Sequence, residues 1–329
     1  MRPIFALAGS AILLMLLTLL SLMLGAKPIP PAEVYQALTS GCARSTCIIV
    51  HDARLPRTLA GLLAGVALGL AGALMQSLTR NPLADPGLLG VNAGAGFAIV
   101  LGIALYGADT PLAWLGLAFC GALLASLLIG LIGALGGGRV NPVRLTLAGV
   151  ALAAVLEGLT SGLALLNPDI YDHLRFWQSG SLDLRGFTAL STLWPAVLAG
   201  SIVALSLAQG LNSLSMGGDM AAALGTHVRR TQLLGLLAIA LLSGAATAVT
   251  GPIAFVGLMT PHIARWLAGN DHRWRLPLTA LITPVLLLTA DILGRVLVTG
   301  ELRVSIVTAI LGAPLLIVLV RRTFGRQAV

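Results

Sequence analysis

The residues able to do chemistry are few, and most are arginines. Among 329 residues the chain carries 20 Lys and Arg, 12 Asp and Glu and five histidines, for a formal charge of +8. Lys27 is the sole lysine, and a proline follows it. A P-loop needs G-x-x-x-x-G-K-[ST], with its lysine on the phosphates, so this chain cannot host that nucleotide site. The histidines are scattered, and neither H-E-x-x-H nor G-x-S-x-G occurs, which leaves an intramembrane enzyme without its constellation. What the arginines offer is recognition, because guanidinium groups hold carboxylates and other anions. Nucleic-acid binding would cluster them on one soluble face. Here they stand singly or in pairs at the ends of apolar segments, a pattern that membrane topology explains better.

The elements that must position these residues follow from composition. The chain is 57% hydrophobic and only 10% charged, where a soluble chain carries about a quarter charged residues. It reads as an integral membrane protein. Long apolar runs without strand-like alternation, together with 39 glycines, point to an all-α bundle and not a barrel. Ten spans are predicted, at 5–25, 57–78, 88–107, 112–135, 145–166, 189–209, 231–250, 252–268, 277–298 and 304–320. Each is near the ~20 residues needed to cross ~30 Å of hydrocarbon. The first run, Phe5 to Leu24, is longer than the 7–15-residue core of a signal peptide and reads as a spanning helix. Prolines and glycines interrupt the eighth.

Ten spans place both termini on one side. With that side cytoplasmic, 12 of the 20 Lys and Arg residues fall inside and 8 outside, in keeping with the positive-inside rule. The acids lean outward, Asp291 and Glu301 among them. Cys42 and Cys47 then lie in the first outside loop, where an oxidising environment and a short gap suit a disulfide; metal binding by two thiols alone is the weaker reading. Cys120 reads as packing within an apolar helix. Glu157 is the one acid assigned to a span, and an intramembrane acid is a functional candidate.

Two stretches resemble each other. "RTLAGLLAGVALGLAGA" begins at Arg57 and "RTQLLGLLAIALLSGAA" at Arg230; "NPLADPGLL" from Asn81 and "GPIAFVGLM" from Gly251 follow them. The offset is close to half the chain. Half the chain holds five spans, an odd number, so the copies would run through the membrane in opposite senses. Inverted repeats with broken segments at matching positions mark transport proteins. The halves are about 1–167 and 168–329 of a single transmembrane domain.

Four polar stretches stand out. In "RNPLADPGLLG", Arg80 to Gly90, two prolines four residues apart force a break in the helix. On the residues alone it is either a plain cytoplasmic turn or part of a constriction, since irregular backbone at membrane depth is tolerated only when buried in protein or lining a cavity. Gln76, one turn upstream, faces the same end, with a helix-packing hydrogen bond as its other reading. Asn212 to Arg230 is the longest polar stretch predicted inside. Leu214, Met220, Ala221 and Leu224 give it an apolar face at helical spacing, suited to a soluble partner, and Met216-Gly217-Gly218 permits a sharp bend between two short helices. A solvated linker is the plain alternative. Outside, Phe176 and Trp177 of "RFWQSGSLDLRG" are interfacial aromatics, and Arg54 and Arg57 open the second span, where interfacial snorkelling is their bland role.

Taken together, "ARLPRTLAGLLAGVALGLAGALMQSLTRNPLADPGLLGVNAGAG", "GPIAFVGLMTPHIARWLAGNDHR", "LLLTADILGR" and "GELRVSIVTAILGAP" resemble the permeases of iron-siderophore, haem and cobalamin ABC importers, in order and across nearly the whole chain. Within that family, "CIIVHDARLPRTLAG" and "GLNSLSMGGDMAAALG" are most similar to the branch carrying ferric enterobactin. The resemblance implies ten helices per subunit and two permease subunits per transporter, a related pair or a homodimer. It further implies a periplasmic binding protein, two ATPase subunits that use ATP and Mg, no cofactor on this chain, and a bacterial inner-membrane location. By resemblance Arg54, Arg57 and Arg295 contact acidic residues of the binding protein. Asn81 and Leu83 narrow the pathway at the cytoplasmic side. Asn212, Leu214, Gly218, Asp219, Ala222, Leu224 and Gly225 lie in the loop that contacts the ATPase. Phe176 and Trp177 lie near the outer mouth. An acid on the pathway would repel an anionic siderophore, which favours a packing role for Glu157. Haem, cobalamin or a hydroxamate siderophore are the alternative substrates; an ATP-independent carrier or channel is the alternative class, although a carrier usually shows paired ionisable residues along its spans.

Overall fold

The computed structural model describes residues 2–25, 27–39, 45–135, 140–184, 186–297 and 301–325, and these are helical or irregular with no strand among them. The helices are α1 (Arg2–Met23), α2 (Pro31–Thr39), α3 (Ser45–Ile48), α4 (Leu55–Thr79), α5 (Val91–Tyr106), α6 (Pro111–Ala134), α7 (Pro142–Leu166), α8 (Pro168–Gln178), α9 (Thr188–Ser206), α10 (Ala208–Ser215), α11 (Gly218–Ala223), α12 (Val228–Thr250), α13 (Val256–Ala268), α14 (His272–Leu297) and α15 (Val304–Gly325). A π-helical turn, Ile49–Arg54, leads into α4, and a 3-10 turn, Pro86–Leu89, precedes α5.

Seven of the helices are long and apolar enough to cross a membrane, and α5 and the Val304–Val318 stretch of α15 are further apolar helical segments. At 1.5 Å per residue, the 13 residues of α13 extend about 20 Å, short of the ~30 Å hydrocarbon layer. The predicted eighth span is thus a short helix preceded by irregular backbone, as its prolines and glycines led one to expect. Helices α2, α3 and α8 were not anticipated. They are too short and too polar for the periodicity of a span to reveal them.

The sequence explains several starts. Thr110-Pro111, Asn141-Pro142 and Asn167-Pro168 each place a side-chain oxygen on the first free N–H groups of the helix, with proline at the first turn. The oxygen satisfies an orphan donor, and the proline gives up none.

The core is built around α4 and α12, which pack antiparallel against each other: Arg57 at the start of α4 and Thr250 at the end of α12 reach the same Ser181–Asp183 segment. Small residues make the close approach possible. A Cβ on Gly65 would sit 2.6 Å from the Pro284 backbone, and one on Gly72 would sit 1.8 Å from the Gly257 carbonyl oxygen. Gly65 and Gly72 therefore let α14 and α13 seat directly on the α4 backbone, the packing of membrane helices that have no hydrophobic effect to drive them together. By contrast α1 shows Phe5, Ile12, Met15, Leu16 and Leu19 to the outside, as a lipid-facing helix would.

Candidate functional site

Two polar clusters lie at opposite ends of α4. At its N-terminal end, Asp291 of α14 is 1% exposed. Its carboxylate takes Arg57 Nη2 at 2.9 Å and, through the other oxygen, Arg295 Nη2 at 2.9 Å. Arg57 Nη1 also reaches Glu301 Oε2 at 2.8 Å. Arg295 goes on to donate to the Ser21 and Leu24 carbonyls and to Ser21 Oγ. Arg54 donates to the carbonyls of Leu22, Met23 and Lys27. The last carbonyls of a helix lack intrahelical partners and carry the negative end of its dipole. Arg54 and Arg295 therefore cap α1 and tie it to α4 and α14.

Arg54, Arg57 and Arg295 are thus 6%, 8% and 6% exposed, each with partners inside the protein. Arg57 borders an open cavity of about 630 Å³, shared with Phe176, Asp183, Glu301 and Arg303. Phe176 is exposed, with the guanidiniums of Arg175 and Arg303 lying 5.3 and 5.2 Å from its ring centre. Trp177 is half-buried on the same helix, α8. Beside this cluster Cys47, Leu22, Val34 and Val50 form a small separate core over the end of α1. Cys47 is disulfide-bonded and Cys120 is free; Cys42 lies outside the described residues.

Asp291 is the buried partner that sequence reading missed, because it was counted with the outside acids. It falls inside the predicted ninth span, and its i, i+4 spacing to Arg295 is the signal that could have found it. Glu157, assigned as the one acid within a span, is exposed on α7 and has no ion pair among the described residues.

At the C-terminal end of α4 the broken loop is saturated from within. Arg80 ends the helix in a left-handed conformation, φ 51°. Asn81 Oδ1 accepts from the Leu83 N–H at 2.9 Å, and Asp85 Oδ1 accepts from the Gly87 N–H at 2.8 Å to start the 3-10 turn. Burial raises the Asp85 carboxyl above its ordinary range, and that N–H partly offsets the effect. The loop is wedged against α7, where a Cβ on Gly149 would lie 1.9 Å from the Leu88 carbonyl oxygen. Asn81 is exposed and Leu83 half-buried. Replacing Asn81 with Ala removes the acceptor for the Leu83 N–H, and an expected loss of about 1 kcal/mol is measurable by thermal unfolding of the purified protein. Gln76 Nε2 donates to the Leu258 carbonyl at 3.0 Å, the helix-packing bond weighed above.

The stretch from Asn212 onward forms two short helices, α10 and α11, with the bend at Gly217, φ 110°. This agrees with the expectation for Met216-Gly217-Gly218. Leu214 and Ala221 turn into the bundle, whereas Met216, Met220 and Leu224 are 65%, 52% and 59% exposed. The predicted apolar face is therefore divided between an inner and an outer side. Gly218 opens α11, Asp219 and Ala222 lie along it, and Gly225 follows at φ 79°. Asn212 anchors the segment: its Nδ2 donates to Asp271 at 2.6 Å, and its Oδ1 faces His272 Nδ1 at 2.7 Å. The Arg273 backbone N–H and this Asn212 amide hold the Asp271 carboxyl below its ordinary range.

The FecCD transport family profile matches residues 13–322. The chain is 65% identical over 317 residues to the ferric enterobactin transport system permease protein FepD of Escherichia coli (strain K12), across 96% of this chain and 95% of that one. It is 38% identical over 298 residues to the ferric enterobactin transport system permease protein FepG of the same organism, across 90% and 89%. A solved metal-chelate type ABC transporter in an inward-facing conformation superposes with a TM-score of 0.83 at 29% identity, covering 97% of this chain and 99% of that one.

Proposed function

Since the chain belongs to the FecCD transport family, whose relatives here are transport permeases, we propose that it is the membrane-spanning subunit of an inner-membrane importer for a ferric catecholate siderophore of the enterobactin class. The observation that carries the substrate is the 65% identity to FepD over nearly the full length. The match to both FepD and FepG supports a heterodimer with a second, related permease. Two ATPase subunits and a periplasmic binding protein complete the assembly.

In this reading the chain crosses the membrane ten times with both termini in the cytoplasm. Helices α5, α13 and α15 join the seven spans above. An inverted five-plus-five repeat is supported by the two breaks: one follows α4, the other follows α12, and these helices run antiparallel, so the breaks fall at opposite ends. The break at Asn81 and Leu83 is the cytoplasmic gate. The outer gate is at Phe176 and Trp177. The loaded binding protein docks on the rim formed by Arg57 and its neighbours, while Arg54 and Arg295 position that rim through α1. Opposite charges there would set register and association rate.

The exposed Met216, Met220 and Leu224 face receives the ATPase, in the manner of an apolar anchor set in a groove. ATP-driven movement of α10 and α11 reaches the gate through Asn212 and the start of α14. Met220→Asp with Leu224→Asp is expected to lower binding-protein-stimulated ATP hydrolysis at least tenfold while leaving the chain folded. Co-purification of the ATPase and its turnover are the readouts. For the substrate, a strain lacking its own catecholate permeases and supplied with this chain and its neighbouring permease should grow under iron limitation on ferric enterobactin. Growth on haem or a ferric hydroxamate instead would refute the catecholate assignment.

A further inference from the structure

Three guanidiniums converge near the α10 end without a carboxylate among the residues that line their pocket. Arg80 ends α4, Arg265 lies on α13 and Arg275 on α14; with His262, His272 and Ser77 they border a cavity of about 220 Å³. Arg265 donates to Asn270 Oδ1, a neutral acceptor. Arg275 is 5% exposed, and its Nη2 donates to Ser77 Oγ and His272 Nε2 at 2.6 and 2.7 Å. An imidazole nitrogen that accepts from a guanidinium carries no proton. His272 is therefore neutral, with its Nδ1–H on Asn212 Oδ1, and it supplies no countercharge and adds none.

Arg275 Nε is buried with no hydrogen-bond partner among the described residues. A buried charge without a counterion is strongly destabilising, and buried polar atoms left unmatched call for an explanation. The cavity has room for about seven waters at ~30 Å³ each. That suffices for one tetrahedral oxyanion and is far too small for a siderophore. Trp266 and Trp274, exposed on α13 and α14, adjoin Arg265 and Arg275 in sequence, and such aromatics are enriched at the depth of lipid headgroups.

We propose that this pocket binds a phosphate-class oxyanion, taken either from free phosphate or from the headgroup of an anionic lipid. Arg275 Nε is its buried donor, and Arg80 and Arg265 close over it. The bound anion joins the end of α4, where the broken loop begins, to α13 and α14, with Ser215 of α10 on the wall. The site does not depend on the transport reading: anion binding and ATP-driven uptake are measured separately, and either can fail alone.

The test uses the full-length chain in a neutral detergent, titrated calorimetrically with sodium phosphate against sodium chloride at equal ionic strength. Saturable binding of phosphate is expected, weakened at least tenfold in Arg275→Gln. Because that variant removes a buried donor that also holds Ser77, Arg80→Gln with Arg265→Gln is the second variant; both side chains are exposed, and at least fivefold weaker binding is expected. A second arm places the chain in phosphatidylcholine nanodiscs with or without phosphatidylglycerol and counts retained lipid by native mass spectrometry. Retention of phosphatidylglycerol that is lost in the double variant identifies a headgroup as the source, and phosphate binding without it identifies the free ion. Absence of both, or binding unchanged in the two variants, overturns the proposal.

Discussion

Asp291→Ala is expected to destabilise the protein more than any other single change at the N-terminal end of α4. The substitution leaves Arg57 and Arg295 buried without the carboxylate that both contact at 2.9 Å. Removing one partner from a buried charge cluster costs about 3–5 kcal/mol. Arg295 also caps α1, so the loss should propagate to that helix and to its seat against α14. The comparison is Glu301→Gln, which removes a carboxylate that is 43% exposed; an exposed pair contributes about 0–1 kcal/mol. Thermal unfolding of both variants in the same detergent, followed by tryptophan fluorescence, should separate them clearly. Equal midpoints would mean that the Asp291 cluster is not structural.

The second large effect concerns backbone approach. Gly72→Ala places a Cβ 1.8 Å from the Gly257 carbonyl oxygen, and neither group is the flexible end of a side chain. Helix α13 must then move off α4. Overpacking of this kind costs about 1–3 kcal/mol and at times more. Gly158→Ala is the control, because a Cβ there meets nothing within 4 Å, and alanine is the better helix former. Gly72→Ala should lower both the unfolding midpoint and the yield of folded protein, with Gly158→Ala unchanged or improved. Since α13 follows the break after α12, Gly72→Ala is also expected to slow transport in whatever fraction folds.

Much of this was legible in the sequence, because a membrane restricts the options. The long apolar runs identified the major helices to within a few residues, and the bend at Gly217 followed from adjacent glycines. The polar clusters were less legible. Arg54 and Arg57 read as interfacial side chains when each is considered alone. The arginines' partners are remote in sequence: Arg57 meets Asp291 across 234 positions, and Arg295 meets Ser21 across 274. No local period encodes such pairs. Asp291 was legible in principle, as an acid inside a span four residues before an arginine. The network of Ser77, Asn212, His272 and Arg275 was not, since each residue has an ordinary surface reading until the fold gathers them.

The most direct test of the central assignment is ATP-dependent uptake in proteoliposomes holding this chain with its neighbouring permease and the ATPase, with the binding protein supplied on the outside. Radiolabelled ferric enterobactin should accumulate only when both ATP and loaded binding protein are present, with haem and cobalamin left behind. Accumulation without ATP or without the binding protein would contradict the importer and leave a carrier or channel.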